Sequence, residues 1–287
     1  MAKGETGKPV SISTVRGYRS AIGVVHEGFP DGSKVSDNSV IRDLLRGWFH
    51  KKAVPKPLPE LWDLPLVLDY LAGPPFEPMS TSSFRNLTLK TVFLLQLASA
   101  RRVSWVHSCL SHPAYTRFEN GGVTLVPYLR LDKNQTQSFT PNVVFIPSLK
   151  NLSPDDKVHC PVRALLHYVR RADKIRGQDK TMFLVSQEPY GPASKATVSG
   201  WVKTVIKDAY TAAKVTFPAG ADARAHSTRS VATSWALASG VSVPEIMDAA
   251  GWKTNVTFAS HYLKDFHLKK GKFAAGVLSA AGASVRH

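Results

Sequence analysis

The sequence has few of the residues from which disulfide scaffolds and metal sites are built. It contains only two cysteines, Cys109 and Cys160, among 287 residues. They do not form a CxxC pair, and no histidines cluster around them, which argues against a disulfide framework and against a structural zinc site. We therefore expect a protein of a reducing compartment that carries no metal and no other cofactor.

Long apolar runs are also missing. No stretch approaches the ~20 apolar residues that a membrane-spanning helix needs, and the first residues, MAKGETGKPVSIS, lack the apolar segment of a secretion signal. We expect neither secretion nor a membrane partner. An apolar fraction of 43% still supplies a sizeable buried core for one large domain or two smaller ones.

Acidic residues are scarce relative to basic ones. The chain has 37 Lys and Arg against 21 Asp and Glu, which gives a formal charge of +16. Such a surplus attracts polyanions, so nucleic acid is the leading partner class. The alternative is a soluble protein whose lysines only solvate its surface.

Several catalytic motifs do not occur in the chain. It has no HExxH, no DxD pair, no P-loop and no GxSxG, so metal hydrolysis, nucleotide hydrolysis and esterase chemistry lack their usual groups. Cations, histidines and hydroxyls remain. That set suits a phosphodiester, because guanidinium groups bind its oxygens bidentately and stabilise its spread negative charge.

The first part of the chain reads as a small helical module. One helix is predicted within 11–29, with Ser11 or Ser13 as its N-cap, and a second within 38–52. We expect the second helix to turn five apolar residues inward: Val40, Ile41, Leu44, Leu45 and Trp48. Three prolines in AVPKPLPEL then indicate a stiff linker, so we place a domain boundary at residue 57.

The rest of the chain is predicted to be mainly α-helical with one small β-sheet or hairpin, an α+β fold. We expect helices in 62–73, 83–110, 161–176, 194–214 and 225–266 with a break at Gly251, and strands at 123–131, 142–147 and 181–186. The helix in 83–110 is apolar through its middle and runs into Arg101 and Arg102. Because a buried guanidinium is costly without a partner, one of the two should meet an anion, either a phosphate or a protein carboxylate.

Two further residues and a tyrosine suggest phosphate chemistry. His226 and Arg229 are three positions apart on a predicted helix, so both can contact one phosphate. Tyr262 has a phenol whose ordinary pKa of ~10 requires neighbouring cations before it can act as a nucleophile. The alternatives are a surface His-Arg pair and a core tyrosine between Phe258 and Phe266.

Taken in order, these residues resemble the tyrosine recombinase (integrase) family. Its pattern is Arg, Lys, His-x-x-Arg, His or Trp, and Tyr, and the match runs through residues 60–266. ASARRVS resembles the motif of the first arginine and selects Arg102, and LRLDKNQTQ resembles the hairpin that bears the lysine, here Lys133. HSTR supplies His226 and Arg229, AGW supplies Trp252, and HY supplies Tyr262. Trp105 stands where the family often has an acidic residue.

Four further sequence segments are similar to those of recombinases from DIRS-like and Ngaro-like retrotransposons and from cryptons: YRSAI, WDLPLVLDYL, HCPVRALLHYV and AGWKTNVTFASHYL. The ten-residue interval from Trp252 to Tyr262 also fits that eukaryotic group. The resemblance implies a catalytic domain at 58–270 and a DNA-clamp module at 1–57 that is either truncated or reduced, because only two of the family's usual four or so helices fit there. For the tail at 271–287 it implies a helix that docks on a neighbouring copy, and the alternative is a flexible terminus.

The resemblance implies cleavage of double-stranded DNA through a 3'-phosphotyrosyl intermediate, without metal or ATP. Arg102 and Arg229 would neutralise the phosphate, Lys133 would protonate the leaving oxygen, His226 would orient phosphate or accept the phenol proton, and Trp252 would donate its indole N–H. It implies a homo-tetramer on DNA, monomeric or dimeric when free, in a host nucleus, or in the cytoplasm of a prokaryote or phage host. The alternatives are an inactive, domesticated DNA-binding protein and a type IB topoisomerase acting alone.

Overall fold

The computed structural model describes residues 10–52, 61–128, 143–149, 157–221 and 223–252. The chain divides into two compact units, 1–57 and 58–287. The helices and strands, in chain order, are α1 (Ile12–Val25), α2 (Ser39–Lys52), α3 (Leu64–Ala72), α4 (Phe84–Ser99), α5 (Val103–His107), β1 (Thr116–Glu119), β2 (Gly122–Leu125), β3 (Val144–Pro147), α6 (Pro161–Ala172), α7 (Lys195–Ala213), α8 (Ala225–Ala238) and α9 (Val243–Ala250). The prediction of a mainly helical fold with one small sheet is confirmed.

The first unit contributes α1 and α2. Ser11 caps α1 by accepting a hydrogen bond from the Thr14 amide at 3.1 Å, which decides between the two predicted caps. The expectation that five residues of α2 face inward is wrong: Leu45 is buried, but Val40 and Leu44 are 73% and 70% exposed. Two helices share a single seam, so one unit of this size cannot bury all the apolar positions on both.

The second unit is built around α4, which contacts α5, α6, α7, α8 and β3. Eleven of its residues are buried, on nearly every side of the helix. Ser83 caps its first turn, and the apolar run LTLKTVFLLQL then fills the centre of one contiguous core. Trp105 belongs to that core and is 7% exposed. An aromatic residue therefore fits at this position, where the recombinase pattern often has an acidic one.

The second unit contains a partly buried ionic cluster of Glu77, Lys90 and Arg163. Lys90 lies on α4 with a side chain that is 0% exposed, and its ammonium donates to Glu77 Oε1 at 2.6 Å and to the Leu71 carbonyl at 2.7 Å. Arg163 on α6 grips the same carboxylate in a bidentate manner, at 2.9 and 3.0 Å. Glu77 therefore joins α4 to α6.

The sheet has the order β1-β2-β3 and is antiparallel throughout. β1 was not predicted, although Asn120-Gly121 between β1 and β2 is a strong hairpin signal; Gly121 has φ 98°. Gly122 opens β2 beneath a ring: a Cβ added there would lie 2.5 Å from the Phe145 ring and 2.4 Å from the Ile146 carbonyl oxygen. Only glycine fits at this position.

Four other expectations about elements were wrong. The helix predicted at 83–110 is interrupted at 100–102, where the left-handed Ala100 separates α4 from α5. The strand predicted at 123–131 ends at Leu125, and Pro127, which has no N–H to donate, makes only an isolated bridge. The strand predicted at 181–186 is reduced to isolated bridges of Thr181 and Leu184. The helix predicted from residue 225 is interrupted at 239–242 as well, because Gly240 has φ 94° and Ser242 starts a new helix with a capping box.

Candidate functional site

The loop between α4 and α5 separates the two adjacent arginines. α4 ends at Ser99 and Ala100 takes the left-handed conformation, with φ 49° and ψ 18°. The buried Gln96 side chain, in the last turns of α4, donates to the Arg101 carbonyl and so anchors the loop to α4. As a result Arg101 is 6% exposed whereas Arg102, the N-cap residue of α5, is exposed.

The buried Arg101 meets backbone carbonyl oxygen. Its Nη2 donates to the Asp248 carbonyl at 3.0 Å, in the last turn of α9. The C-terminal end of a helix carries partial negative charge and favours a cation. This contact is neither the phosphate nor the carboxylate that the sequence led us to consider, and it leaves Arg102 as the arginine on the surface.

The first turn of α8 carries the predicted His-x-x-Arg pair. His226 is exposed, but Arg229 is 2% exposed, so the structure places one of the pair at the surface and the other in the interior. Ser227 between them accepts from the Trp62 indole at 2.9 Å and donates to the Arg224 carbonyl at 2.7 Å. These bonds fix the turn against the start of the second unit.

Arg229 and Trp252 are brought together. The Arg229 guanidinium carbon lies 4.6 Å from the centre of the Trp252 ring, a cation–π contact, and Nη2 donates to the Ala250 carbonyl at 2.7 Å. Trp252 is 9% exposed and packs with Ala100, Ile246 and Ala250 in a small apolar cluster distinct from the main core. The structure therefore brings these two sequence-predicted site residues into contact.

The end of α9 explains how Trp252 reaches this position. Gly251 adopts φ 67° and ψ 42°, and its N–H donates to the Asp248 carbonyl at 2.9 Å. The Trp252 N–H donates to the Met247 carbonyl at 2.9 Å, which completes a Schellman turn. The dipeptide Gly-Trp thus folds the indole back over the helix end that Arg101 and Arg229 contact.

The structure therefore joins three segments that are distant in sequence. The loop of Ala100–Arg102, the start of α8 and the end of α9 meet around the small apolar cluster and two guanidinium-to-carbonyl contacts. Arg102, Arg224 and His226 are exposed residues of two of these segments. A surface of this kind attracts phosphate, because guanidinium groups bind its oxygens in a fixed geometry.

Lys133 and Tyr262 lie outside the described residues, as does the tail at 271–287. Lys133 falls in the connection between β2 and β3, and Tyr262 ten positions beyond Trp252. Their roles and their distances from the arginines stay predictions. Among the described positions, no three His, Cys, Asp or Glu residues are arranged to hold a metal ion, and none of the helices described is long and apolar enough to cross a membrane.

Two arginines near the site were not chosen from the sequence. Arg224 is the exposed N-cap residue of α8 and its side chain does not cap the helix, as is also true of Arg102 on α5. Ser, Asp or Asn is usual at an N-cap. An arginine immediately before a predicted helix is therefore unusual, and it could have marked Arg224 as a candidate site residue. Arg101 is the other, because the family motif selects Arg102 at this position.

Solved structures of low sequence identity have this fold. The chain is similar to XerA recombinase with a TM-score of 0.53 and 10% identity, over 94% of this chain and 85% of that one. It is similar to XerH site-specific recombinase bound to the palindromic difH substrate in a post-cleavage complex, with a TM-score of 0.54, 11% identity and coverage of 94% and 68%. No protein-family model and no curated protein sequence matches the chain. The chain has the fold of the tyrosine recombinases.

Proposed function

We propose that the protein is a DNA recombinase or integrase of a eukaryotic mobile element. The observation that carries this proposal is the meeting of Arg229, Trp252 and the loop of Arg102 around one helix end. These are residues that the family pattern assigns to one active site, and they occur in a chain with the family's fold. The charge of +16 adds an electrostatic attraction to double-stranded DNA.

In the proposed reaction the Tyr262 phenol oxygen attacks a scissile phosphate. A bond forms between that oxygen and phosphorus, the bond from phosphorus to the 5'-oxygen breaks, and a 5'-hydroxyl leaves. One phosphate ester replaces another, so no ATP is consumed and the 5'-hydroxyl of a second strand can reverse the step. Rejoining to a different strand produces recombination.

Each remaining residue has a task in that step. Arg102 and Arg229 stabilise the charge on the non-bridging oxygens, and a preorganised donor of this kind contributes about 3 kcal/mol. Lys133 supplies the proton to the leaving oxygen, and His226 accepts the phenol proton or orients the phosphate. Trp252 donates its indole N–H and packs against Arg229, whose guanidinium carbon lies 4.6 Å from the centre of the ring.

The test is covalent capture of DNA. A pool of nicked duplexes of randomised sequence is incubated with the protein in EDTA, and DNA that stays attached to protein in SDS is recovered and sequenced. We expect wild-type protein to capture a defined sequence and Tyr262→Phe to capture none. Tyr128→Phe is the matched control, because Tyr128 is 56% exposed and has no part in the proposed chemistry.

Other outcomes separate the alternatives. Capture that persists in Tyr262→Phe would reject the assigned nucleophile. Salt-sensitive DNA binding without any adduct would favour the inactive, DNA-binding protein. Relaxation of supercoiled plasmid by wild-type protein, with adducts of no sequence preference, would favour a topoisomerase acting alone.

The proposal extends to assembly and location. Strand exchange joins two duplexes, so we propose a homo-tetramer on DNA in the host nucleus, with the tail at 271–287 docking on a neighbouring copy. Deleting the residues beyond Lys270 should then weaken cooperative binding to paired sites and leave binding to a single site unchanged. Equal cooperativity in the shortened protein would reject the role of the tail.

A further inference from the structure

We infer that Arg101 is a positioning residue for the recombination step. This inference rests on the proposed function. The adjacent arginines differ in environment: Arg101 is 6% exposed and Arg102 is exposed. Two successive residues with the same charge therefore lie in different surroundings, and the buried one donates to a backbone carbonyl of α9.

Arg101 connects two segments that must be held in register. Its backbone belongs to the loop that carries Arg102, and its guanidinium donates to the Asp248 carbonyl at 3.0 Å. Asp248 lies in the last turn of α9, after which the chain passes through Gly251 and Trp252 and continues toward Tyr262. The contact thus links the loop that carries a phosphate-binding arginine to the segment that leads to the nucleophile.

Several bonds make this link stiff. Gln96 donates to the Arg101 carbonyl, and the Ser99 hydroxyl accepts from the Arg101 amide at 3.4 Å, so the Arg101 backbone is held on both sides. At the other end, the Asp248 carbonyl also accepts from the Gly251 amide at 2.9 Å. Ala100 packs in the same apolar cluster as Trp252. A displacement at either end is therefore transmitted to the other.

Arg229 makes a second contact of the same kind, to the Ala250 carbonyl at 2.7 Å. The two guanidinium groups hold carbonyl oxygens two residues apart on one helix end. Together they fix the position of this helix end relative to the Arg102 loop and to α8. A shift of about 1 Å in catalytic geometry costs about 100-fold in rate, which sets the size of effect to expect when the first contact is lost.

The experiment compares Arg101→Met, Arg101→Lys and Arg102→Met on the DNA sequence captured by wild-type protein. We expect Arg101→Met to form the covalent adduct about 100-fold more slowly at saturating DNA, with a DNA affinity within about threefold of wild type. If Arg101 acts only by positioning the Arg102 loop against α9, the slope of log Kd against log salt should be unchanged in Arg101→Met, because no phosphate contact is then lost. In Arg102→Met that slope should fall by about one, the change expected when a single phosphate contact is lost.

Arg101→Lys keeps the charge and can still donate to one carbonyl, so it should recover part of the lost rate. The matched control is Arg171→Met, since Arg171 also donates to a backbone carbonyl, that of Ser82, at a place remote in sequence from the site. Its adduct rate should equal that of wild type. Thermal melting of every variant identifies any that fails to fold, and Arg101→Lys then serves as the test in place of Arg101→Met.

A wild-type rate in Arg101→Met would overturn the inference, as would a loss of rate matched by an equal loss of affinity or by a reduced salt slope. A loss in Arg171→Met as large as that in Arg101→Met would also overturn it, since the effect would then be general destabilisation. Failure of the proposed function is distinguishable from all of these, because in that case wild-type protein forms no adduct.

Discussion

Removing the charge of Glu77 should destabilise the second unit much more than removing the charge of Lys90. Glu77 accepts from Lys90 at 2.6 Å and from Arg163 at 2.9 and 3.0 Å. The Lys90 side chain is 0% exposed and that of Arg163 is 34% exposed. In Glu77→Gln the buried ammonium keeps only the Leu71 carbonyl and a neutral amide, and breaking a buried pair in this way costs about 3–5 kcal/mol.

Lys90→Met removes the most deeply buried charge of the cluster. The bidentate contact between Glu77 and Arg163 persists, and an apolar side chain of similar length occupies the space. Because Glu77 keeps Arg163 as its partner, no buried charge is left unpaired, and we expect a cost of less than about 1 kcal/mol. In the Lys90→Met background, Glu77→Gln should then cost only about 1 kcal/mol, because it breaks a partly exposed pair.

Urea unfolding followed by circular dichroism measures all three variants and completes the double-mutant cycle. The expected coupling between Glu77 and Lys90 is at least about 2 kcal/mol, from the difference between the two costs of Glu77→Gln. Equal costs for Glu77→Gln and Lys90→Met, or a cost of Glu77→Gln that does not change when Lys90 is absent, would refute the reasoning. The outcome bears on the site, because α4 carries Lys90 and ends at the loop of Arg101 and Arg102.

Three further predictions concern stability and reactivity. Gly122→Ala should destabilise by about 1–3 kcal/mol, because the added methyl meets a carbonyl and a ring that cannot both retreat; Gly200→Ala, with open space around it on α7, should stabilise by about 0.5–1 kcal/mol. A loss at Gly200 equal to that at Gly122 in urea unfolding would contradict this. Burial alone would raise the pKa of Glu77, but hydrogen bonds from Arg163 and Lys90 lower it below its usual range. Near the usual pKa of a glutamate, the unfolded state therefore binds more protons than the folded state. The difference in unfolding free energy between wild type and Glu77→Gln should then shrink as the pH falls from about 5; a difference that does not change with pH would contradict this cause. Burial raises the pKa of Cys109 to about 12, so iodoacetamide at pH 8 should modify this thiol only as fast as the protein unfolds, as mass spectrometry of wild type and Cys109→Ala would show.

The sequence alone determined the nature of most helices and the order of the site residues. Caps and turn residues act locally, so Ser11, Ser83 and Gly251 mark element ends that the structure retains. The apolar run of α4 could bury itself only at the centre of a domain, and it does. The spacing of His226 and Arg229 placed them on one helix, and the order of the motifs pointed to the recombinase fold.

Only the tertiary structure decided which side of each element is covered and which groups meet. Periodicity predicted five inward residues on α2, yet just one of them is buried, since burial depends on what packs against a helix. The two arginines at 101 and 102 are chemically identical in sequence, and a left-handed Ala100 turns one toward α9 and the other toward solvent. The contact of Arg229 with Trp252 joins residues 23 positions apart across two helices. Such contacts depend on packing between distant segments, which local propensities do not encode.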